Sequence, residues 1–303
     1  MQEFETFDFD SGFGHHSLPR RLSQAWKLMR KLLNKLLVKF GLLITKAPTL
    51  LTDKSLTTSE AFPAQLTEKV AVDAATDTPR NELFDIFAAD TNVHKWHHYF
   101  EIYEKHFVSY RGRPVRMLEI GVFRGGSLRM WKQYFHPESI IVGIDIDKSC
   151  KEHERAEENV FVRIGSQADP EFLAKVTEEF GPFDIILDDG SHKTHHQNVS
   201  FGALFRASLK DGGCYMVEDM HSNYWLKTID SEDTFIDLSK QMIDMLHEPY
   251  FDRTEASFRP EHPDAVKQLN ISYLAANISG IAFYDSIVVI DKKKKYLPKS
   301  EQR

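Results

Sequence analysis

At 303 residues the chain has room for one large domain with an appendage or for two small ones, and 42% hydrophobic with 27% charged residues is the balance of a soluble globular protein. Its two cysteines, Cys150 and Cys214, lie far apart, which excludes a disulfide framework and favours a reducing compartment, the cytoplasm. The net charge of −7 is unevenly spread: residues 11–52 hold no Asp or Glu and eight Lys/Arg, leaving −15 for the rest, an acidic body without the basic aromatic groove of a nucleic-acid binder.

In chain order, the first predicted element is basic. Leu22, Trp26, Met29, Leu33, Leu36 and Phe40 recur at three- or four-residue spacing, which predicts an amphipathic helix over about 20–46 with Lys/Arg on its other faces. Such a helix packs on the body or on a second subunit, or it lies as a peripheral element on an anionic membrane; both readings stay open, and the chain is expected to form a homo-oligomer. The apolar run 36–44 is too short for a bilayer and Lys39 interrupts it. A secretory signal is not expected either, because Lys27, Arg30, Lys31 and Lys35 recur through the segment. With Pro48, Pro63 and Pro79, residues 47–80 read as a linker, so an extension 1–80 precedes a globular domain 81–303.

Within that domain, helices are expected over 82–87 and 96–107, a strand over 115–120, a helix over 127–135, and strands over 140–144 and 160–164. A helix over 170–180, a strand over 184–187, a helix over 196–209 and a strand over 214–217 follow. This alternation predicts an α/β fold, a Rossmann-like, doubly wound, mostly parallel sheet covered on both faces. Residues 280–290, broken around Tyr284-Asp285-Ser286, supply a closing hairpin or edge strand, and 231–270 is expected to cover the pocket.

Chemistry gathers at the strand ends. The first strand runs into Glu119-Ile120-Gly121-Val122-Phe123-Arg124-Gly125-Gly126-Ser127, a glycine-rich turn that lets the backbone approach a ligand at a helix amino terminus. It lacks the Gly-Lys-Ser/Thr of a phosphate-gripping loop and the full dinucleotide fingerprint. The next strand ends in Gly143-Ile144-Asp145, where an acid can accept hydrogen bonds from two ribose hydroxyls. Two further strands end in Asp188-Asp189-Gly190-Ser191-His192 and Glu218-Asp219-Met220-His221, each an acidic pair with a histidine close behind.

Together these motifs resemble class I S-adenosylmethionine-dependent methyltransferases. More narrowly, Leu118-Glu119-Ile120-Gly121, Gly125 to Trp131, Asp188 to His192 and Glu218 to Trp225 are similar to a subfamily of metal-dependent macrolide sugar O-methyltransferases, of the mycinamicin and macrocin type, which also holds proteins labelled cephalosporin hydroxylase. The resemblance covers about 81–291. It implies that Glu119, Gly121 and Gly125 line the methionine and ribose part of S-adenosylmethionine, that Asp145 takes the ribose diol, and that Gln167 lies on the adenine side. Asp189 would link cofactor and metal.

Oxygens from Asp189, Glu218 and Asp219 suit Mg²⁺, a hard cation that keeps positions open for water or substrate. A sugar hydroxyl is a poor nucleophile at neutral pH, and His192, three residues past Asp189, is placed to take its proton. In the similar enzymes these residue types divide the work in this way. His221, Tyr224 and Trp225 either shape a substrate pocket or lie in the core. Trp96-His97-His98-Tyr99-Phe100-Glu101-Ile102-Tyr103 resembles the family's lid, with a departure at Thr91-Asn92 where many relatives have Asp-Lys. The expected activity is O-methylation of a small-molecule or glycan acceptor. The rivals are a hydroxylase, which would need redox iron, and a non-catalytic cofactor-fold protein that docks through its basic helix.

Overall fold

The computed structural model describes residues 66, 68–74, 77–90, 92–251, 268–298, 301 and 303. The expected basic helix at 20–46, most of the 47–80 linker, Thr91 and residues 252–267 therefore lie outside the described residues. The chain divides between Val70 and Ala71 into two units, and every element below belongs to the second.

Two helices precede the sheet, α1 (Glu82–Ala89) and α2 (Tyr99–Phe107). Asn81 starts α1 by accepting the Phe84 N–H at 2.8 Å. Residues 96–98 form a turn, so α2 begins at Tyr99, later than the periodicity predicts. The chain then alternates through β1 (Arg116–Ile120), α3 (Gly126–Tyr134), β2 (Ile140–Asp145), β3 (Val160–Ile164), α4 (Pro170–Phe180) and β4 (Phe183–Asp188). It closes with α5 (Thr194–Ala207), β5 (Leu209–Val217), a 3-10 turn at Met220–Tyr224, α6 (Phe235–Leu246), α7 (Tyr273–Asn277), β6 (Ile278–Tyr284) and β7 (Ile287–Lys292).

The seven strands form one sheet in the order β3-β2-β1-β4-β5-β7-β6. The first five run parallel, and β7 pairs antiparallel with β5 at Cys214↔Asp291 and with β6 at the edge. The C-terminal run is thus a hairpin, folded back at Ser286 with φ +66°. Chain order reverses at β1, which has β2 on one side and β4 on the other, so the crevice at their carboxyl ends is the place where such sheets bind ligands.

Strand period then decides which acid faces which layer. One core packs Met117, Ile185, Leu187, Cys214 and Met216 against α1, α2 and α3, with Trp131 fully buried among Tyr103, Phe107 and Phe135. The other packs Leu118, Ile120, Ile186, Tyr215 and Val217 against α4, α5 and α6. Truncating a ring such as Trp131 to Ala in a core of this kind costs about 3–5 kcal/mol. In register with these alternations, Glu119 and Glu218 fall on the first face and Asp188 on the second. Helix α6 packs in the second core through Phe235 and Met242, so its part of the expected pocket cover lies against α5.

Candidate active site

At the crevice, β1 passes into a tight turn. Gly121 has φ +97°, and a Cβ there would stand 2.2 Å from the Asp189 carbonyl oxygen, so only glycine lets the β1 and β4 ends approach this closely. Gly125 has φ +69° and no side-chain cap follows it, which leaves amide N–H groups of α3 free at the crevice. The segment 92–95 crosses the start of α3 so closely that a Cβ on Gly126 would lie 2.5 Å from the Asn92 carbonyl oxygen. Asp90 and Arg129 pin this segment with two bonds of 2.8 Å.

These pieces enclose a cavity of about 290 Å³, lined among others by Gly121, Asp145, Gln167, Asp189 and Lys95. Asp145 accepts the backbone N–H groups of Val122 (2.9 Å), Phe123 (3.1 Å) and Asp147 (2.9 Å). Burial pulls its pKa up, but these donors win and hold it below the usual carboxylate value. Gln167 is buried and braces the turn after β4: its amide nitrogen donates to Asp188 at 3.1 Å, and its oxygen accepts the Ser191 N–H at 2.8 Å. Asp188 is held beneath by Ser200 at 2.6 Å and does not join the site.

Glu119 is fully buried beside the cavity rather than on its lining. Its two oxygens accept from Ser127 Oγ at 2.8 Å and Trp131 Nε1 at 3.1 Å. Burial raises its pKa to about 7, against the opposing charge of Lys95.

A second group stands at the cavity rim. His192 (φ +57°) and Asp219 (φ +54°) both adopt left-handed backbone at the strand ends, a conformation that sets side-chain direction at some cost. His192 Nε2 lies 3.4 Å from Asp219 Oδ2, and His192 Nδ1 is buried without a partner among the described residues. Asp189, His192 and Asp219 each offer a ligand atom within 4.8 Å of the others, a span one divalent ion can bridge. Glu218 does not join this trio. Its oxygens accept from Lys95 Nζ at 2.8 Å and Tyr103 OH at 2.6 Å, and burial lifts its carboxyl to about 8, with Asp189's charge adding and Lys95's opposing.

Sequence reasoning missed Lys95 and gave Tyr103, within the lid motif, no role of its own. Lys95 bridges Asp189 (2.5 Å) and Glu218, while Tyr99 OH donates to Asp219 Oδ1 at 2.7 Å. Tyr99 and Tyr103 lie four residues apart on one face of α2, whereas Lys95 precedes the helix. The lid's Tyr99 thus reaches the acidic end of the site. His98 contacts the Asp285 carbonyl at 3.2 Å, and His97 packs edge-on against Phe84.

Beyond Asp219 an aromatic ladder opens to solvent. Trp96 stacks on Tyr99 (centroids 5.8 Å) and on His221 (4.8 Å, 13°), and Trp225 meets His221 edge-on at 4.5 Å. Tyr224 and Trp225 are 46% and 44% exposed, so they belong to a surface and not to the core.

No protein-family model matches the chain. The L-olivosyl-oleandolide 3-O-methyltransferase of Streptomyces antibioticus is 32% identical over 243 residues, 75% of this chain and 58% of that protein. The mycinamicin VI 2''-O-methyltransferase of Micromonospora griseorubida is 36% identical over 206 residues, 63% of this chain and 47% of that one. Among solved structures, a methyltransferase from the mycinamycin biosynthetic pathway, in complex with Mg, SAH and mycinamycin VI, is 31% identical with a TM-score of 0.59, covering 72% of this chain and 55% of its own. The chain spans about half the length of the curated relatives it matches. It is a homologue of these sugar O-methyltransferases and has the class I S-adenosylmethionine-dependent methyltransferase fold.

Proposed function

We propose that residues 81–303 are a methyltransferase domain that carries a methyl group from S-adenosylmethionine to a hydroxyl of a sugar, glycoconjugate or glycosylated natural product, with Mg²⁺ at the acidic site. The observation that carries this reading is the meeting of Asp189, His192 and Asp219 at the rim of a cavity closed by Gly121 and Asp145.

In this reading Asp145 receives the ribose hydroxyls, the Gly121–Gly125 turn passes along the methionine part, and Gln167 shapes the adenine side. Glu119 acts from behind, fixing Ser127 and Trp131. Asp189 and Asp219, with Glu218 beside them, are the acids that would hold Mg²⁺. When bound, such an ion stabilises the negative charge that develops on an acceptor oxygen. His192 takes the acceptor's proton at Nε2, and Asp219 stabilises the imidazolium that results. The oxygen lone pair forms the new C–O bond while the C–S pair returns to sulfur, an in-line displacement in which the protein's work is alignment.

Calorimetry of the purified protein with S-adenosylmethionine, with and without Mg²⁺, tests the reading: saturable binding is expected, and no binding under either condition ends it. A hydroxylase would call for two histidines and one carboxylate on iron, whereas the described cluster has one histidine and two carboxylates. The same reading gives the chain a glycosylated acceptor and no nucleic acid as partner, places it in the cytoplasm, and leaves self-association and peripheral membrane contact to residues 20–46.

A further inference from the structure

Methyl transfer as derived above gives Lys95 no task, yet few groups in the domain are more tightly placed. Its side chain is 3% exposed, and its ammonium spans Asp189 Oδ2 at 2.5 Å and Glu218 Oε2 at 2.8 Å. Both contacts are ion-pair distances, so the ammonium is held between the two acidic side chains. Because Tyr103 takes the other oxygen of Glu218, that residue has no oxygen left without a donor. Two acidic side chains thus converge on one cationic group that the chain itself supplies.

Lys95 also borders a separate cavity of about 440 Å³ with Asp77, Trp96, His98 and Glu101.

We propose that Lys95 is the resident cation of the acidic site: it holds Asp189 and Glu218 together when no divalent ion is bound, and it competes with such an ion for Glu218. It is a positioning residue that sets metal affinity. The inference rests on the metal-dependent reading of the site but not on cofactor binding, so calorimetry with S-adenosylmethionine on the same samples separates the two.

Mn²⁺ binding to the full chain, followed by the spin-resonance signal of the free ion, provides the first test. Lys95→Met removes the competitor and is expected to bind Mn²⁺ at least about tenfold tighter, since loss of one positive charge a few ångströms away favours a cation. Adding Glu218→Gln to Lys95→Met should cancel most of that gain, a coupling read from the double-mutant cycle. Lys95→Arg keeps the charge and should stay within about threefold of the parent. Unchanged or weaker Mn²⁺ binding by Lys95→Met, or no Mn²⁺ binding by any form, overturns the proposal. The second test needs no variant. Amine acetylation of the parent protein, read by peptide mass spectrometry, should label Lys95 poorly without metal and severalfold more at saturating Mg²⁺; equal or reduced labelling overturns the competition.

Discussion

The carboxyl of Glu119 sits at the end of β1 with no exposed surface, held only by Ser127 Oγ, Trp131 Nε1 and the field of Lys95. Its pKa rises from 4.5 to about 7, chiefly through burial. The folded state therefore keeps a proton that the unfolded chain has already released between those values, so this group's contribution to stability is fully present below about pH 4.5 and is lost as pH rises through about 7. A shift of this size corresponds to about 3 kcal/mol. Denaturant melts of the parent and Glu119→Gln across pH 4–8 should converge or cross as the parent loses this contribution; parallel curves would show that Glu119 ionises normally. His192 tests chemistry instead of stability. With its ring beside Asp219 at the rim, His192→Ala should lower methyl transfer by about 10²–10⁴-fold and leave S-adenosylmethionine affinity nearly unchanged; retained turnover would remove His192 from the base role.

At the scale of elements, what was legible in the sequence followed local patterns. Apolar runs ending in acids announced β1, β2, β4 and β5, and the glycines between β1 and α3 marked the cavity, because each signal is contained in a few neighbouring residues. The start of β5 was not legible: Leu209 to Gly213 looks like a turn, yet Leu209 pairs with Phe183 of β4 before a register shift, and regular pairing resumes at Cys214 with Ile185. The start of α2 was obscured in the same way, since Trp96-His97-His98 fits helical spacing but forms the turn before Tyr99. Adjacent acids were harder still. Asp188 and Asp189 read as one pair, but strand alternation sends Asp188 under α5 to Ser200 while Asp189 reaches the site. Glu218 likewise continues the alternation toward Tyr103, and Asp219 turns outward only because its backbone is left-handed. Lys95 lies 94 residues from Asp189, and a single lysine in a sequence carries no sign of the acids it will meet.

For the whole molecule, charge distribution poses the remaining question. Residues 11–52 carry eight Lys/Arg and no acid, while the rest of the chain carries −15. Each basic residue near an anionic bilayer contributes about 1 kcal/mol, so even half of them engaged would supply several kcal/mol. Repulsion between the bilayer and the acidic remainder is long-ranged but screened within about 8–10 Å at physiological salt. On the membrane reading, the full chain floats with phosphatidylserine-containing liposomes at physiological salt and is released as salt is raised further, whereas a form lacking residues 1–46 stays at the bottom of the gradient. Equal recovery of the two forms would instead assign the apolar stripe of Leu22, Trp26, Met29 and Leu33 to packing against protein, and light scattering of the same two forms would show whether that protein is a second copy of this chain.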